Sequence, residues 1–376
     1  MKLEAHCNRV RTGSRLALLA VCLFQLTACS DNKPVRIGFI GELTGNSSDL
    51  GEGGRNGVLL AIEKQNQNGG IAGHPIELIV RDTGLDVESA KKANQELLTA
   101  GVEIVIGPMT SAMVEALLPL NEKAAVVMLS PTASAAKFAG KDDQLFRINR
   151  TTRDNAKLFA DYCLRSKWQR ISAIANEDNR VFSESWLNEF KTAFEKQGGQ
   201  LTSASFFDSK ASSHTPLIQE ALKETPDAII LIANAGDSAR LAQQTRKQSS
   251  NIQILAAEWA ATGQLLEHGG KAVDGLITLQ QFSSQDNSAS FVALRDKYRE
   301  RYGRELAFAS VLAHDAATVA IDALSRRVKG QALKETLIKS GPYRGLQETI
   351  QFDRNGDTLR AARFATIKDG QFVTLP

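Results

Sequence analysis

The chain has 376 residues, 43% hydrophobic and 23% charged, with a formal charge of +3. That length exceeds one compact core and predicts two lobes, and the composition excludes a mostly disordered, collagen-like or polytopic membrane chain. Four of the 45 basic and one of the 42 acidic residues lie in residues 1–28, leaving 41 of each elsewhere, so the electrostatic argument for a nucleic-acid partner is lost.

At the N-terminus, Arg9, Arg11 and Arg15 precede an apolar run from Leu16 to Leu26. The run is short for a bilayer span and reads as a secretory signal. Leu26-Thr-Ala-Cys29 resembles the bacterial lipobox, which implies cleavage before Cys29, a diacylglyceryl group on its sulfur, and residues 30–34 as a polar tether. The chemistry needs a thiol at that position and small residues before it; an ordinary signal peptide followed by a coincidental cysteine is the plainer alternative. Cys7 and Cys22 leave with the signal, so Cys163 stands alone with no intramolecular disulfide partner. Its apparently amphipathic helix predicts a buried structural thiol.

Val35 to Ile40 alternates or runs apolar and ends at Gly41, as a buried strand should, followed by a glycine-rich loop and a helical pattern through Gly57 to Ile62 that stops at Asn68-Gly69-Gly70. Further strands are predicted at 76–80, 104–106, 126–129, 171–175, 204–207, 228–232, 252–255 and 275–278. Helices are predicted between them at 88–99, 111–123, 154–167, 184–197, 216–223, 238–248 and 288–302. Apolar strands alternating with helices predict doubly wound α/β sheets covered on both faces. They are too many for one small sheet, and a split near residue 150 leaves two Rossmann-like lobes. In the last third, 309–328 and 332–340 read as helices, and 348–352 and 361–367 as a closing pair of strands. Asp353 to Asp357 between them has acidic spacing, but its glycine comes too early for a calcium loop and no glutamate closes it, so a solvated hairpin turn is expected.

Catalytic motifs are scarce. The five histidines never fall at metal-ligand spacing, and CxxC, GxSxG, GxGxxG and a Walker A lysine are all missing. Ser134-Ala-Ala-Lys137 matches the SxxK of penicillin-interacting serine enzymes, but the only SDN is Ser30 to Asn32 in the tether, and KTG is absent. The sequence therefore predicts no metal, no cofactor and no enzyme.

Three stretches together resemble the branched-chain amino-acid-binding (Leu/Ile/Val-binding) family of type I periplasmic binding proteins, the substrate-binding lipoproteins of ABC importers. They are Ile37 to Gly45 continuing to Ile76 and Arg81-Asp82, then Val105 to Ser111 with Leu129 to Ser134, and finally Phe352 to Asp357. The resemblance runs from about residue 35 to the end. It implies two Rossmann-like lobes joined by a three-crossing hinge near residues 150, 283 and 345. Lobe 1 would comprise 35–150 and 284–345, and lobe 2 would comprise 151–283 and 346–376.

Ser111 and Ser134 each follow a predicted strand at the carboxyl edge of a sheet, where ligands of open α/β folds collect. Ser111 also stands where a helix N-cap would, beside free N–H groups suited to a carboxylate; two plain caps are the bland alternative. The resemblance implies that Ser111 holds a ligand α-carboxylate and that Thr132 and Ser134 hold carboxylate and ammonium. It also implies that Glu258, at the end of a predicted strand, faces the ammonium; a surface glutamate is the alternative. A buried carboxylate needs a cationic partner. Trp259 either walls the pocket or covers a helix. Phe182 stands where the family often has Tyr-Gly and offers no hydroxyl, and Leu50 replaces an aromatic residue of some leucine binders. Gly84 and Thr110 occupy the approximate positions of a disulfide known in some members.

The implied partners are a small ligand, an amino acid by the resemblance (branched-chain, apolar or small), ABC permease and ATPase subunits, and a membrane reached through the lipid anchor, with no nucleic acid. The implied location is the cell envelope, facing the periplasm or exterior. The alternatives are a ligand sensor or envelope interaction module of the same fold, and a binder of an aromatic carboxylate.

Overall fold

The computed structural model describes residues 33–45 and 47–375, so the signal segment and Cys29 lie outside the described residues. The first sheet comprises β1 (Val35–Gly41), β2 (Ile76–Asp82), β3 (Ile104–Ile106), β4 (Val127–Ser130) and β5 (Leu145–Arg147). Its order is β2-β1-β3-β4-β5, all parallel. Helices α1 (Ser48–Gln67), α2 (Val87–Thr99) and α3 (Ser111–Ala124) connect these strands. Covering both faces removes the polar side of each strand, which is why β3 and β4 are buried at every residue.

The second sheet comprises β6 (Arg170–Asn176), β7 (Gln200–Phe207), β8 (Ala228–Ile232), β9 (Gln253–Ala256), β10 (Ile277–Gln280), β13 (Arg363–Lys368) and β14 (Gln371–Thr374). Its order is β14-β13-β10-β9-β8-β6-β7, with β13 and β14 antiparallel at one edge. Its helices are α4 (Thr152–Arg165), α5 (Arg180–Glu195), α6 (Thr215–Lys223), α7 (Ala235–Gln248) and α8 (Gly263–Gly269). The chain then returns to the first sheet through α9 (Ala289–Tyr302), α10 (Phe308–Arg326) and α11 (Leu333–Lys339), with α10 packed on α1, β3 and β4. The two Rossmann-like lobes are thus joined by three connections.

Three expectations are corrected. The stretch read as a glycine-rich loop is helical from Ser48 onward, where α1 begins, a helix that contains Gly51, Gly53, Gly54 and Gly57. Glycine weakens a helix by about 1 kcal/mol per residue. Here it permits contact that no side chain would, since a Cβ on Gly57 would stand 2.2 Å from the Ser310 carbonyl oxygen of α10. Second, 348–352 and 361–367 are not a pair. Thr349–Ile350 (β12) pairs with Tyr343–Arg344 (β11) in a two-stranded ribbon, whereas β13 pairs with β10 and β14. Third, Asp353 to Asp357 is a turn with Asp353 and Arg354 exposed, but it closes no hairpin and its far end is docked on the first sheet. Arg147 N donates to Gly356 O at 2.9 Å, and the buried Arg147 guanidinium donates to Asp357 Oδ1 from Nε at 2.9 Å and from Nη2 at 2.5 Å. The sequence reading also omitted β5, β14 and α8, which are short and lack a distinct apolar period.

Cys163 lies on the inner face of α4 with no exposed surface, and burial pushes its thiol up to about 12. Beside it in the same core, Phe159 meets Trp186 edge-on, and Trp186, Phe190 and Phe194 stack along α5.

Candidate functional site

The carboxyl ends of β3 and β4 build one wall of a cleft. Gly107 leaves β3 at φ 108°, and a Cβ there would lie 1.9 Å from Ile40 O, so only glycine lets the backbone run this close to β1. Thr110, not Ser111, caps α3, its Oγ1 accepting from Met113 N at 3.4 Å. Ser111 is therefore the first helical residue. Its Oγ accepts from Ser134 N and Ala135 N, each at 3.2 Å, which ties the start of α3 to the loop after β4. Thr132 Oγ1 donates to Met109 O at 2.5 Å, and Asn149 Nδ2 donates to Thr132 O at 2.6 Å. Beneath this wall the buried Glu42 accepts from Thr110 Oγ1 at 2.7 Å; its pKa is raised by burial, against the opposing pull of Thr110.

The facing wall comes from the second sheet. Beyond β6, Asn179 precedes α5, and Phe182 lies in its first turn. Beyond β9, a single 3-10 turn, Glu258–Ala260, carries Glu258 and Trp259. Glu258 is 3% exposed; its Oε1 accepts from Asn155 Nδ2 at 2.9 Å and its Oε2 from Trp186 Nε1 at 3.0 Å. Burial raises its pKa, while the two hydrogen bonds and the charge of Arg150 pull it down. Trp259 meets Phe182 edge-on at 5.4 Å between ring centroids, so it packs on α5 and faces the cleft at once.

Leu50, Ser111, Thr132, Ser134, Phe182, Glu258 and Trp259 all line one cavity of about 20 Å³, together with Met109, Asn149, Asn179 and Phe308. Those last four were not singled out from the sequence. Met109 lies inside the stretch that carried the resemblance, whereas Asn149, Asn179 and Phe308 sit in connections whose placement depends on the packed lobes. The volume holds about one water, so the lobes are closed. Cross-cleft hydrogen bonds hold them: Thr262 Oγ1 to Asp49 Oδ2 at 3.1 Å, Ala112 N to Asn179 Oδ1 at 3.1 Å and Ala136 N to Ser185 Oγ at 3.0 Å. Closure buries Asp49, which raises its pKa.

A larger hollow of about 540 Å³ opens to solvent between Lys137 and α5. Its charges are already satisfied by one another, as Lys137 pairs with Glu115, Arg153 with Glu189 and Arg180 with Glu184. The Lys137 ammonium of the SxxK match is therefore engaged at the surface, whereas Ser134 is buried. Among the described residues no group of three or more His, Cys, Asp or Glu could hold a metal ion.

Residues 34–371 match the family model described as periplasmic binding protein. The Leu/Ile/Val-binding protein of Escherichia coli K12 is 23% identical over 271 residues, covering 69% of this chain and 71% of that protein. The branched-chain amino acid transporter substrate binding protein LivJ of Streptococcus pneumoniae, solved with isoleucine, superposes with a TM-score of 0.83 at 21% identity, covering 91% of this chain and 100% of that one. A solute binding protein of an ABC transporter from Rhodopseudomonas palustris BisB5, solved with 3,4-dihydroxy benzoic acid, reaches 0.82 at 20% identity, covering 92% and 97%.

Proposed function

Because the chain belongs to the periplasmic binding protein family, we propose that it is the extracytoplasmic substrate-binding component of an ABC importer and closes its lobes on a small or apolar amino acid. The observation that carries this reading is the polarity of the cavity between the lobes. One wall offers Ser111, Thr132, Ser134 and the start of α3, and the other offers the Glu258 carboxylate. A carboxylate is favoured at a helix N-terminus and an ammonium beside a buried carboxylate. Leu50, Met109, Phe182, Trp259 and Phe308 leave apolar surface for the side chain.

The lobe built on the first sheet rotates against the lobe built on the second to admit the ligand, because a cavity of about 20 Å³ cannot take it up without opening. Contacts to both lobes form only on closure, so the ligand stabilises the closed form that the permease and ATPase subunits read. Cys29 carries a lipid that tethers the chain to the membrane. Replacing Cys29 with alanine should release it from the membrane fraction, and retention of that variant would refute the anchor.

A thermal-shift panel of amino acids and small carboxylates tests the assignment. A ligand at about 100 times its Kd adds roughly 2.7 kcal/mol of stability. Stabilisation by an aromatic acid and by no amino acid would favour the second reading, an aromatic carboxylate binder, which the likeness to the 3,4-dihydroxy benzoic acid complex supports. Glu258 weighs against it, since that ligand leaves the buried carboxylate without a cation.

A further inference from the structure

Two neutral residues outside the cavity lining converge on Glu258, Asn155 from α4 and Trp186 from α5. The indole N–H can only donate. The Asn155 amide could turn either way in isolation, but its Oδ1 accepts from Arg150 Nε at 3.0 Å. Exchanging the amide oxygen and nitrogen would set Nδ2 against the Arg150 donor, so the amide must present its N–H to Glu258. Arg150 cannot yield, because its Nη1 donates to Arg360 O in the third connection between the lobes. Both Glu258 oxygens thus face groups that offer only hydrogens. A proton placed on either would lose a hydrogen bond and find no acceptor among these partners.

We propose that Asn155 and Trp186 are positioning residues that hold Glu258 as a fixed carboxylate and so make a protonated amino group a requirement for the ligand. This rests on the amino-acid reading above and names what enforces it. Burial pushes Glu258 toward its neutral form, and a neutral carboxyl would accept a deaminated acid almost as well as an amino acid. Among the described residues that bond to it or line its cavity there is no other carboxylate. Arg150 is the charged group acting on it, whereas Asn155, Trp186, Trp259, Ser111, Thr132 and Asn149 are neutral.

The test is calorimetric titration of the full chain with L-alanine, L-leucine and L-isoleucine, each beside its deaminated analogue (propanoate, 4-methylpentanoate, 3-methylpentanoate), across the acid and neutral range. Trp186→Phe removes the N–H and keeps the ring; Asn155→Leu removes the amide. In each variant the preference for the amino acid over its analogue should fall about tenfold or more, and the acid limb of affinity against pH should move upward by about one unit or more. Variants that melt cooperatively with an unchanged preference and pH profile overturn the proposal and leave the amino-acid reading standing. A wild-type chain that binds the acids and no amino acid overturns both. If both variants fail to fold, infrared difference spectra of wild type against Glu258→Gln decide the matter. An ionised carboxylate band for Glu258 at about pH 6 supports the proposal, and a protonated carboxyl band there overturns it.

Discussion

Replacing Glu258 with glutamine should separate ligand binding from fold stability. The carboxylate accepts from Asn155 Nδ2 at 2.9 Å and from Trp186 Nε1 at 3.0 Å. A glutamine amide has one oxygen for these two donors, so one donor then faces an NH₂ group. The loss of a charge-assisted bond and the unpaired donor together cost about 1.5–3 kcal/mol. Removing a buried charge offsets this, because desolvating one ion costs several kcal/mol. The two terms nearly cancel, and the ligand-free melting temperature should move by no more than about 4 °C. Nothing cancels in the complex, where the ligand ammonium has lost its counter-charge. Truncating one partner of a buried, hydrogen-bonded pair costs about 2–5 kcal/mol, which is about 30-fold to several thousand-fold in Kd. Isothermal titration with whichever amino acid stabilises the wild type most, alongside its deaminated analogue, measures the effect. A Kd within about threefold of wild type would place Glu258 outside the electrostatics of binding and refute the reasoning.

Other substitutions probe the scaffold. Gly57→Val should destabilise the fold by about 1–3 kcal/mol in urea denaturation, because its Cβ would meet Ser310 O at 2.2 Å and push α1 from α10; a silent substitution would mean that the helices separate freely. With Cys7, Cys22 and Cys29 changed to serine, Cys163 should react with Ellman's reagent only as fast as the chain unfolds, its thiol being buried and pushed up to about 12. Rapid labelling of the native chain would contradict that burial. His214 is buried against Phe207 at 4.9 Å between ring centroids, and neither ring nitrogen has a hydrogen-bond partner among the described residues. Burial lowers its pKa below the ordinary 6.5, with Arg240 acting in the same direction and Asp237 against it. The unfolded chain therefore binds the proton first as pH falls, so the stability contributed by neutral His214 is whole above that ordinary value and is lost below it. His214→Phe should flatten the fall in melting temperature between about pH 7.5 and about pH 5.5, and an unchanged slope would show that other groups set it.

The α/β architecture was legible because short parallel strands buried on both faces must be largely apolar; β3 and β8 are apolar throughout, and β1 and β6 over most of their length. The seven candidate ligand-site residues were reached through the resemblance and the rule that ligands gather at strand carboxyl ends. Their gathering around one cavity appears only in the folded chain. Local patterns misled where tertiary contact outweighed propensity. Gly51, Gly53 and Gly54 of α1 read as a loop because glycine disfavours helix, yet close packing on Glu42, Ser310 and Met109 decides the matter. The segment 348–367 read as a hairpin because its strands are adjacent in sequence, whereas the available sheet edges pair them elsewhere.

By itself the sequence determined the layered α/β class and the residue types at the strand ends, since each rests on neighbours within a few positions or on a run of one polarity. Only the tertiary structure decided that Asn155 and Trp186, 103 and 72 residues from Glu258, are its hydrogen-bond partners, and that Arg150 fixes the orientation of the Asn155 amide. A hydrogen bond acts over about 3 Å whatever the separation along the chain, so no local pattern of residues records it.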